Sequence, residues 1–487
     1  MNSSVRRFTT TVVRSTHDRS YVKNLSLSQS FLPWVKSFHP RRLQQVQDEL
    51  VQLMLPYTDE NSKILRGQTK VPIDDEGNYI HELNFQIVNH QDFDTKHIVF
   101  IHGYGASLGC FARNFQLINK FSDKNFNYKI HFLDNITFGL SSNPKVKNDK
   151  VNHWFIKKCP PIKLIDTRPT EKSQLHNKYY KLIDGYKIDK QEFKDYQKTF
   201  IPILTDLEHF YTSAIDNWRK SQNLDKIDYL VGHSFGGYWS ASYSLKYPDK
   251  LNSLILLSPV GVERHVHSVN NKIEELDDSN EIELKPSLDP TKFNFLTRYP
   301  ILSNAHIREW YWKLPFLPRF LKFFGPLGYS IYFKMWFGRL FKINKVLKSI
   351  GENKTVTSAN DLVYGTTKEC KLIIEYLFNS ITNGTNSDIY VKNLLTPATV
   401  SKWPIYDKFE TYLSGNPQGS FNIDIVYGQY DFMNSEAGEK LVNLINEQSN
   451  HKTKLHKIRE GGHNLYIDNP WDTNQLIHDI VVRENQS

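Results

Sequence analysis

The sequence predicts an α/β fold, a parallel sheet flanked by helices with a large helical cap inserted between two strands. Three observations predict it. Continuous apolar runs such as "HIVFI" (97–101) suit strands buried on both faces of a parallel sheet. Such runs alternate with helical periodicity over 80–262 and again over 416–487. Between these two parts, residues 263–415 break the rhythm, opening polar and acidic and turning aromatic and basic.

The elements follow in chain order. Up to residue 47 there are eight Lys or Arg against the single acid Asp18. This end is rich in Arg, Ser and Thr and has no apolar secretory core. The reading for 1–47 is therefore a mitochondrial presequence and basic tail. The first part of the core, 80–262, starts with the strand "LNFQIVNH". It continues with "KHIVFIHGYGAS", a helical "GCFARNFQLINKF" and the strand "YKIHFLDNITFGLSS". Residues 144–200 are Lys-rich and aperiodic and are expected as a polar surface insertion. "TDLEHFYTSAIDNWRKSQNL" reads as a helix before the strand "LDKIDYLV", and "KLNSLILLSPVGV" as the next buried strand. The second part, 416–487, resumes with "FNIDIVYGQYDF", a helix "SEAGEKLVNLINEQS", the strand "TKLHKIRE" and "GGHNLYIDNP".

Composition narrows the classes. Charged residues make up 23% of the 487 and hydrophobic ones 39%, an ordinary globular balance. Net charge is +9, which points to an anionic partner. Three cysteines without paired spacing argue against a disulfide scaffold and a zinc site. No run approaches the roughly 18 apolar residues of a spanning helix, so a soluble or membrane-surface protein is expected.

The chemistry concentrates in "GHSFGGYWS" (232–240). Ser234 would stand at a strand-to-helix corner, with Gly232 and Gly236 at the two positions where a sharp turn leaves no room for side chains. A serine hydroxyl needs a base, and the base an orienting acid. His463 follows Gly461-Gly462, and Asp431 follows a strand-like "DIVYGQY". Asp424 is the weaker choice of acid because it lies inside that strand. Tyr104, in "HGYG" at an earlier strand end, and Phe235, next to the serine, are the expected oxyanion N–H donors. The order Ser234, Asp431, His463 is the one α/β-hydrolases use.

"HGYGAS", "FLDNITFGLSSNP", the run from "AIDNWRKSQ" to "LSPVG" and "GGHNLYIDNP" resemble the lipid-acting α/β-hydrolases related to the mammalian lipid-droplet lipase coactivator. The resemblance is nearest the yeast mitochondrial branch, which includes a cardiolipin-specific deacylase and lysophospholipid acyltransferases. It covers roughly 80–270 and 420–485. It implies Ser234 as nucleophile, His463 as base and Asp431 as acid. It also implies an H-x4-D acyltransferase motif from His463 to Asp468, although Asp468 before Asn469-Pro470 equally suits a turn or a helix cap.

Residues 310–345 interleave aromatics and cations, with no acid from 310 through 351. Phe320, Phe323, Phe324 and Leu327 form one helical stripe, and Tyr332, Phe333, Trp336, Phe337, Leu340 and Phe341 a second. Arg319, Lys322, Lys334, Trp336, Arg339 and Lys342 are the expected membrane-binding residues. The alternative is a cap helix packed on its own core. No nucleic-acid motif accompanies the cations.

The resulting expectation is a mitochondrial serine phospholipase, peripheral on the matrix face of the inner membrane. It would deacylate a phospholipid, cardiolipin above all, without metal or redox cofactor. The alternatives are an acyl-CoA-dependent lysophospholipid acyltransferase and a non-catalytic lipid-binding scaffold.

Overall fold

The computed structural model describes residues 18–55, 63–122, 125–153, 159–160, 162–164, 185–273, 280–295, 317–351, 363–396, 399–415 and 421–485. The presequence reading at 1–17, much of the 144–200 insertion and the aromatic residues 310–316 lie outside them.

Eleven strands occur in the described residues. They are β1 (Ile64–Pro72), β2 (Tyr79–Ile87), β3 (Thr95–Ile101), β4 (Asn127–Leu133), β5 (Lys163–Leu164), β6 (Tyr186–Asp189), β7 (Ile227–His233), β8 (Leu251–Leu257), β9 (Glu281–Leu284), β10 (Asn422–Gly428) and β11 (Thr453–Ile458). Eight form one sheet in the order β1-β2-β4-β3-β7-β8-β10-β11. All neighbours from β4 to β11 run parallel, while β1–β2 and β2–β4 are antiparallel. The small sheet β5-β6-β9 is antiparallel.

Apolar runs without alternation become strands covered on both faces. In β3, Val99 and Ile101 join one core cluster, while Ile98 and Phe100 join the other. The first face packs on Lys190–Ser221, Phe235–Lys246 and Ser435–Gln448. The second packs on Leu108–Phe121, Gly325–Phe341, Thr367–Thr382 and Pro470–Asn485. Truncating a ring such as Phe100 to Ala is expected to cost about 3–5 kcal/mol.

Register sets the position of the site. Ile101 pairs with Gly232, His233 with Leu257, and Val426 with Leu257, so three parallel strands end level with one another. Residues 102–105, 234 and 258 leave the sheet along this one edge, and β10 and β11 continue it. Open α/β sheets place their ligands at the carboxyl ends of the strands.

Three departures from the sequence reading have physical causes. Much of the stretch read as basic tail is folded. Leu27–Lys36 and Arg42–Met54 are helices, and the second buries Leu43, Val46, Leu50 and Met54 on one face. That 3.6-residue spacing was outweighed by the excess of cations. The long helix starts at Lys190, inside the supposed surface insertion, where Phe193, Tyr196 and Phe200 are buried. β1 was missed because most of its side chains are partly or fully exposed, leaving little apolar signal.

The cap stripes separate as well. Tyr332, Phe333, Phe337 and Leu340 are buried in the second core cluster, as the packed-helix alternative expects. Phe323, Phe324 and Leu327 are exposed. Among the described residues no helix is long and apolar enough to cross a membrane.

Candidate active site

Ser234 occupies the turn from β7 into the helix Phe235–Lys246, with φ 51° and ψ −114°. This is a left-handed backbone that non-glycine residues seldom hold, and such strain is a feature of nucleophile elbows. Its neighbours show why the turn needs glycines. A Cβ on Gly232 would lie 2.4 Å from Ser240 Oγ, and one on Gly236 would lie 2.4 Å from the His102 carbonyl oxygen.

The three predicted groups converge across the chain. Ser234 Oγ lies 3.0 Å from His463 Nε2, and His463 Nδ1 lies 3.2 Å from Asp431 Oδ1. In the tautomer that satisfies both contacts, Nδ1–H donates to the carboxylate and Nε2 accepts from the serine. Ser234 and His463 are partly exposed, whereas Asp431 is buried. Burial alone would raise the Asp431 pKa. Hydrogen bonding and charge from His463, with the Met433 amide bond and the nearby Ser258 hydroxyl, outweigh burial and hold it below the ordinary value. The acid is thus ionised where it must orient the imidazole. Asp424 is elsewhere, bound to His456 and Arg483.

The two residues expected to supply the oxyanion donors are neighbours. Phe235 opens the helix after Ser234, in the first turn, where N–H groups have no partner within the helix. The loop carrying Tyr104 crosses directly above the serine, since a Cβ on Gly103 would lie 3.0 Å from Ser234 Cβ. The Tyr104 and Phe235 rings meet edge to face at 6.4 Å. This loop is fixed by buried His102, whose Nδ1–H donates to the Gly103 carbonyl at 2.8 Å. Its Nε2 accepts the Asn135 amide at 3.1 Å.

Other positioning residues escaped the sequence reading. His233 precedes the serine, and its Nε2–H donates to the His463 carbonyl at 3.0 Å. Burial drives its pKa down to about 3, and the neighbouring His463 adds to that, so this imidazole stays neutral and steadies the base. Its place inside "GHSFG" was the available signal. Arg113 and Glu369 form a buried ion pair, and Arg113 also donates to the Ile467 carbonyl, close behind His463.

The expected membrane-binding residues divide, and two of them need correction. Arg319 is only 7% exposed and is paired with Asp388 at 2.7 Å. Asp388 in turn accepts the Tyr104 hydroxyl at 2.5 Å. Arg339 grips Asp468 at 2.8 and 2.9 Å, and Asp468 accepts the Gly462 amide at 2.9 Å. Both arginines therefore tie the cap to the site, with carboxylates that the sequence could not pair with them. The same contacts make Asp468 an anchor for the loop that carries His463. Lys322 points partly inward, donating to the Ser37 carbonyl at 2.8 Å. Lys334 and Lys342 are exposed, and Trp336 is half-buried beneath the Arg339 guanidinium.

A cavity of about 590 Å³ lined by Ile73, Val146, Asp206 and Phe210 shares no residue with the triad, so it is not the reaction site. The triad arrangement can perform acyl transfer through serine: a base in hydrogen-bond reach of a hydroxyl, an ionised acid behind it, and N–H donors at the same corner.

Comparisons with known proteins agree with this architecture. A sequence model of the alpha/beta hydrolase fold matches residues 96–287. Protein ECM18 of Saccharomyces cerevisiae is 29% identical over 84% of this chain and 76% of its own length. The 1-acylglycerol-3-phosphate O-acyltransferase ICT1 of the same yeast is 27% identical over 76% of this chain and 78% of its own. The human 1-acylglycerol-3-phosphate O-acyltransferase ABHD5 is 22% identical, with 83% and 82% covered. Sheet order and elbow give the chain an α/β-hydrolase fold, and its sequence is similar to lipid-acting members of that fold.

Proposed function

We propose that the protein is a mitochondrial serine phospholipase that removes a fatty acyl chain from a phospholipid, with cardiolipin as the substrate. The observation that carries the catalytic part is the contact of Ser234 Oγ with His463 Nε2 at 3.0 Å, with Asp431 behind the imidazole. His463 takes the serine proton as Oγ bonds to the acyl carbon. The carbonyl electron pair moves onto oxygen, which the amides of Tyr104 and Phe235 stabilise. Collapse breaks the ester C–O bond, and His463 passes its proton to the departing lysolipid. Water, deprotonated by His463, then releases the fatty acid from the serine. The excess of cations in the cap and overall supports an anionic lipid as substrate.

A second reading is favoured by the names of the relatives, two of which are 1-acylglycerol-3-phosphate O-acyltransferases. In it acyl-CoA supplies the acyl group, and a lysophospholipid hydroxyl replaces water as acceptor. Incubation of the purified protein with cardiolipin alone separates the two. Free fatty acid without CoA supports hydrolysis, whereas turnover only with acyl-CoA and 1-acylglycerol-3-phosphate supports transfer. Ser234→Ala is expected to lower either activity by about 10³-fold or more. Undiminished turnover in that variant would remove the serine mechanism, and no turnover by the unaltered protein in either assay would leave a lipid-binding scaffold.

The basic, acid-poor amino end supports a location in the mitochondrion, peripheral on the matrix face of the inner membrane. Fractionation with protease protection tests this, and recovery of the protein in the cytosol would overturn it.

A further inference from the structure

The helix Leu27–Lys36 is well formed but faces the wrong way for a helix in water. Its start carries a capping box, with Ser26 Oγ accepting the Gln29 amide and the Gln29 side chain accepting the Ser26 amide. Yet Leu27, Phe31, Leu32 and Val35 are all exposed, while the buried residue of the helix is Ser30. The helix lies against the cap. Trp34 Nε1–H donates to the Lys322 carbonyl at 2.8 Å, and Ser330 Oγ–H to the Leu25 carbonyl at 2.9 Å. On the cap side Phe323, Phe324 and Met335 are 83%, 60% and 66% exposed.

The apolar exposure is concentrated. Of the eighteen large hydrophobic side chains exposed among the described residues, eleven come from 21–38 and 323–335. Scattered single apolar residues need no partner, but a patch of this kind does. Charge indicates which partner. Neither 19–47 nor 317–351 contains an acid, and Lys23, Lys36, Lys334 and Lys342 are exposed in these segments. Rings and aliphatic chains flanked by cations, without anions, complement an anionic phospholipid surface: apolar groups enter the acyl boundary while ammonium groups meet phosphates.

We propose that the helix Leu27–Lys36 and the cap segment 321–335 together form the surface by which this protein docks on an anionic phospholipid bilayer. The proposal rests on the lipid-acting reading only for its choice of occupant. It moves the contact from the cap arginines to apolar side chains, four of the nine supplied by the amino-terminal helix.

Co-sedimentation of the full chain with vesicles tests it, using phosphatidylcholine with cardiolipin and phosphatidylcholine alone. The triple variant Phe31→Ser, Phe323→Ser, Phe324→Ser is expected to lose about tenfold or more in partitioning to both, with an unchanged thermal midpoint because these side chains are exposed. Lys36→Glu with Lys334→Glu is expected to weaken binding to cardiolipin vesicles only, the difference disappearing at high salt. Ser234→Ala is expected to bind as the unaltered protein does, so failure of the enzymatic reading and failure of the docking surface are read separately. Wild-type binding by the triple variant, or no vesicle binding by the unaltered chain, overturns the proposal. So does a triple variant that turns an oligomer into a monomer while still binding vesicles, because the occupant would then be a second copy.

Discussion

Asp424 and Asp431 are seven residues apart, yet the structure gives them separate partners. Asp424 lies within β10 and holds His456 and Arg483, whereas Asp431 lies beyond the strand end and holds His463. Asp431→Asn is expected to reduce kcat for a soluble ester by about 10³–10⁴, because an amide favours the wrong imidazole tautomer and cannot stabilise the imidazolium. Asp424→Asn should leave kcat near its original value and reduce stability instead. Steady-state kinetics and thermal melts on the two variants check this, and a comparable kcat loss in both would count against the assignment. The triad was legible in the sequence because Ser234 and Asp431 follow apolar runs and His463 follows the Gly461-Gly462 pair after the short strand "TKLHKIRE", so one-dimensional pattern already placed each at a strand end. His233 was not legible as a positioning residue. Nothing local shows that its ring reaches a carbonyl 230 positions away.

At the scale of elements, the cap holds both halves of the catalytic machinery. The helix Gly325–Phe341 carries Arg339, which fixes Asp468 and through it the Gly462 amide beside His463. Arg319 fixes Asp388, and Asp388 fixes Tyr104. A displacement of about 1 Å in a catalytic group can cost 10²-fold, so Arg339→Met is expected to lower kcat by roughly 10–100-fold. KM for a small soluble ester should change little, and Arg339→Lys should recover part of the loss. Asp468→Asn combined with Arg339→Met should be far from additive, since both act through one contact. Independent effects would show that the ion pair only stabilises the cap. The sequence reading sent these arginines to the membrane because their acids lie 129 and 69 residues away, and composition carries no information about such pairs. At the amino end, the Thr367 amide donates to the Asp18 carbonyl at 2.8 Å and the Thr367 hydroxyl to that of Ser20 at 3.1 Å. If a presequence is removed, the mature chain is expected to keep Asp18, and sequencing of its amino terminus checks this. A start beyond Ser20 would contradict it.

Across the whole molecule, the parallel sheet was readable because fully covered strands are written as unbroken apolar runs. The folded amino-terminal helices and β1 were not, because charge excess and half-exposed side chains hide periodicity. The same covered sheet makes stability depend on pH in a direction that can be worked out. Burial lowers the pKa of both His233 and His97 to about 3, with neighbouring His463 and His131 respectively adding to it. As pH falls below about 6.5, the unfolded chain takes up protons that the native histidines refuse, so the native state loses ground until pH approaches 3. Glu82 follows with the opposite chemistry and the same consequence. Burial opposes its charge, but the His131 charge and the hydrogen bonds it accepts prevail and lower its pKa to about 2. Its contribution is complete above about 4.5 and is lost as pH falls from there toward 2. Denaturant unfolding is therefore expected to show stability declining between pH 6.5 and 5 by about 1–2 kcal/mol for each histidine, and more steeply below 4.5. His233→Asn with His97→Asn should be less stable at pH 7.5 but flatter from 6.5 to 5, since two of the groups that titrate in that window are gone, while buried His102 and His451 remain. An unchanged slope in the double variant would place the acid sensitivity elsewhere in the chain.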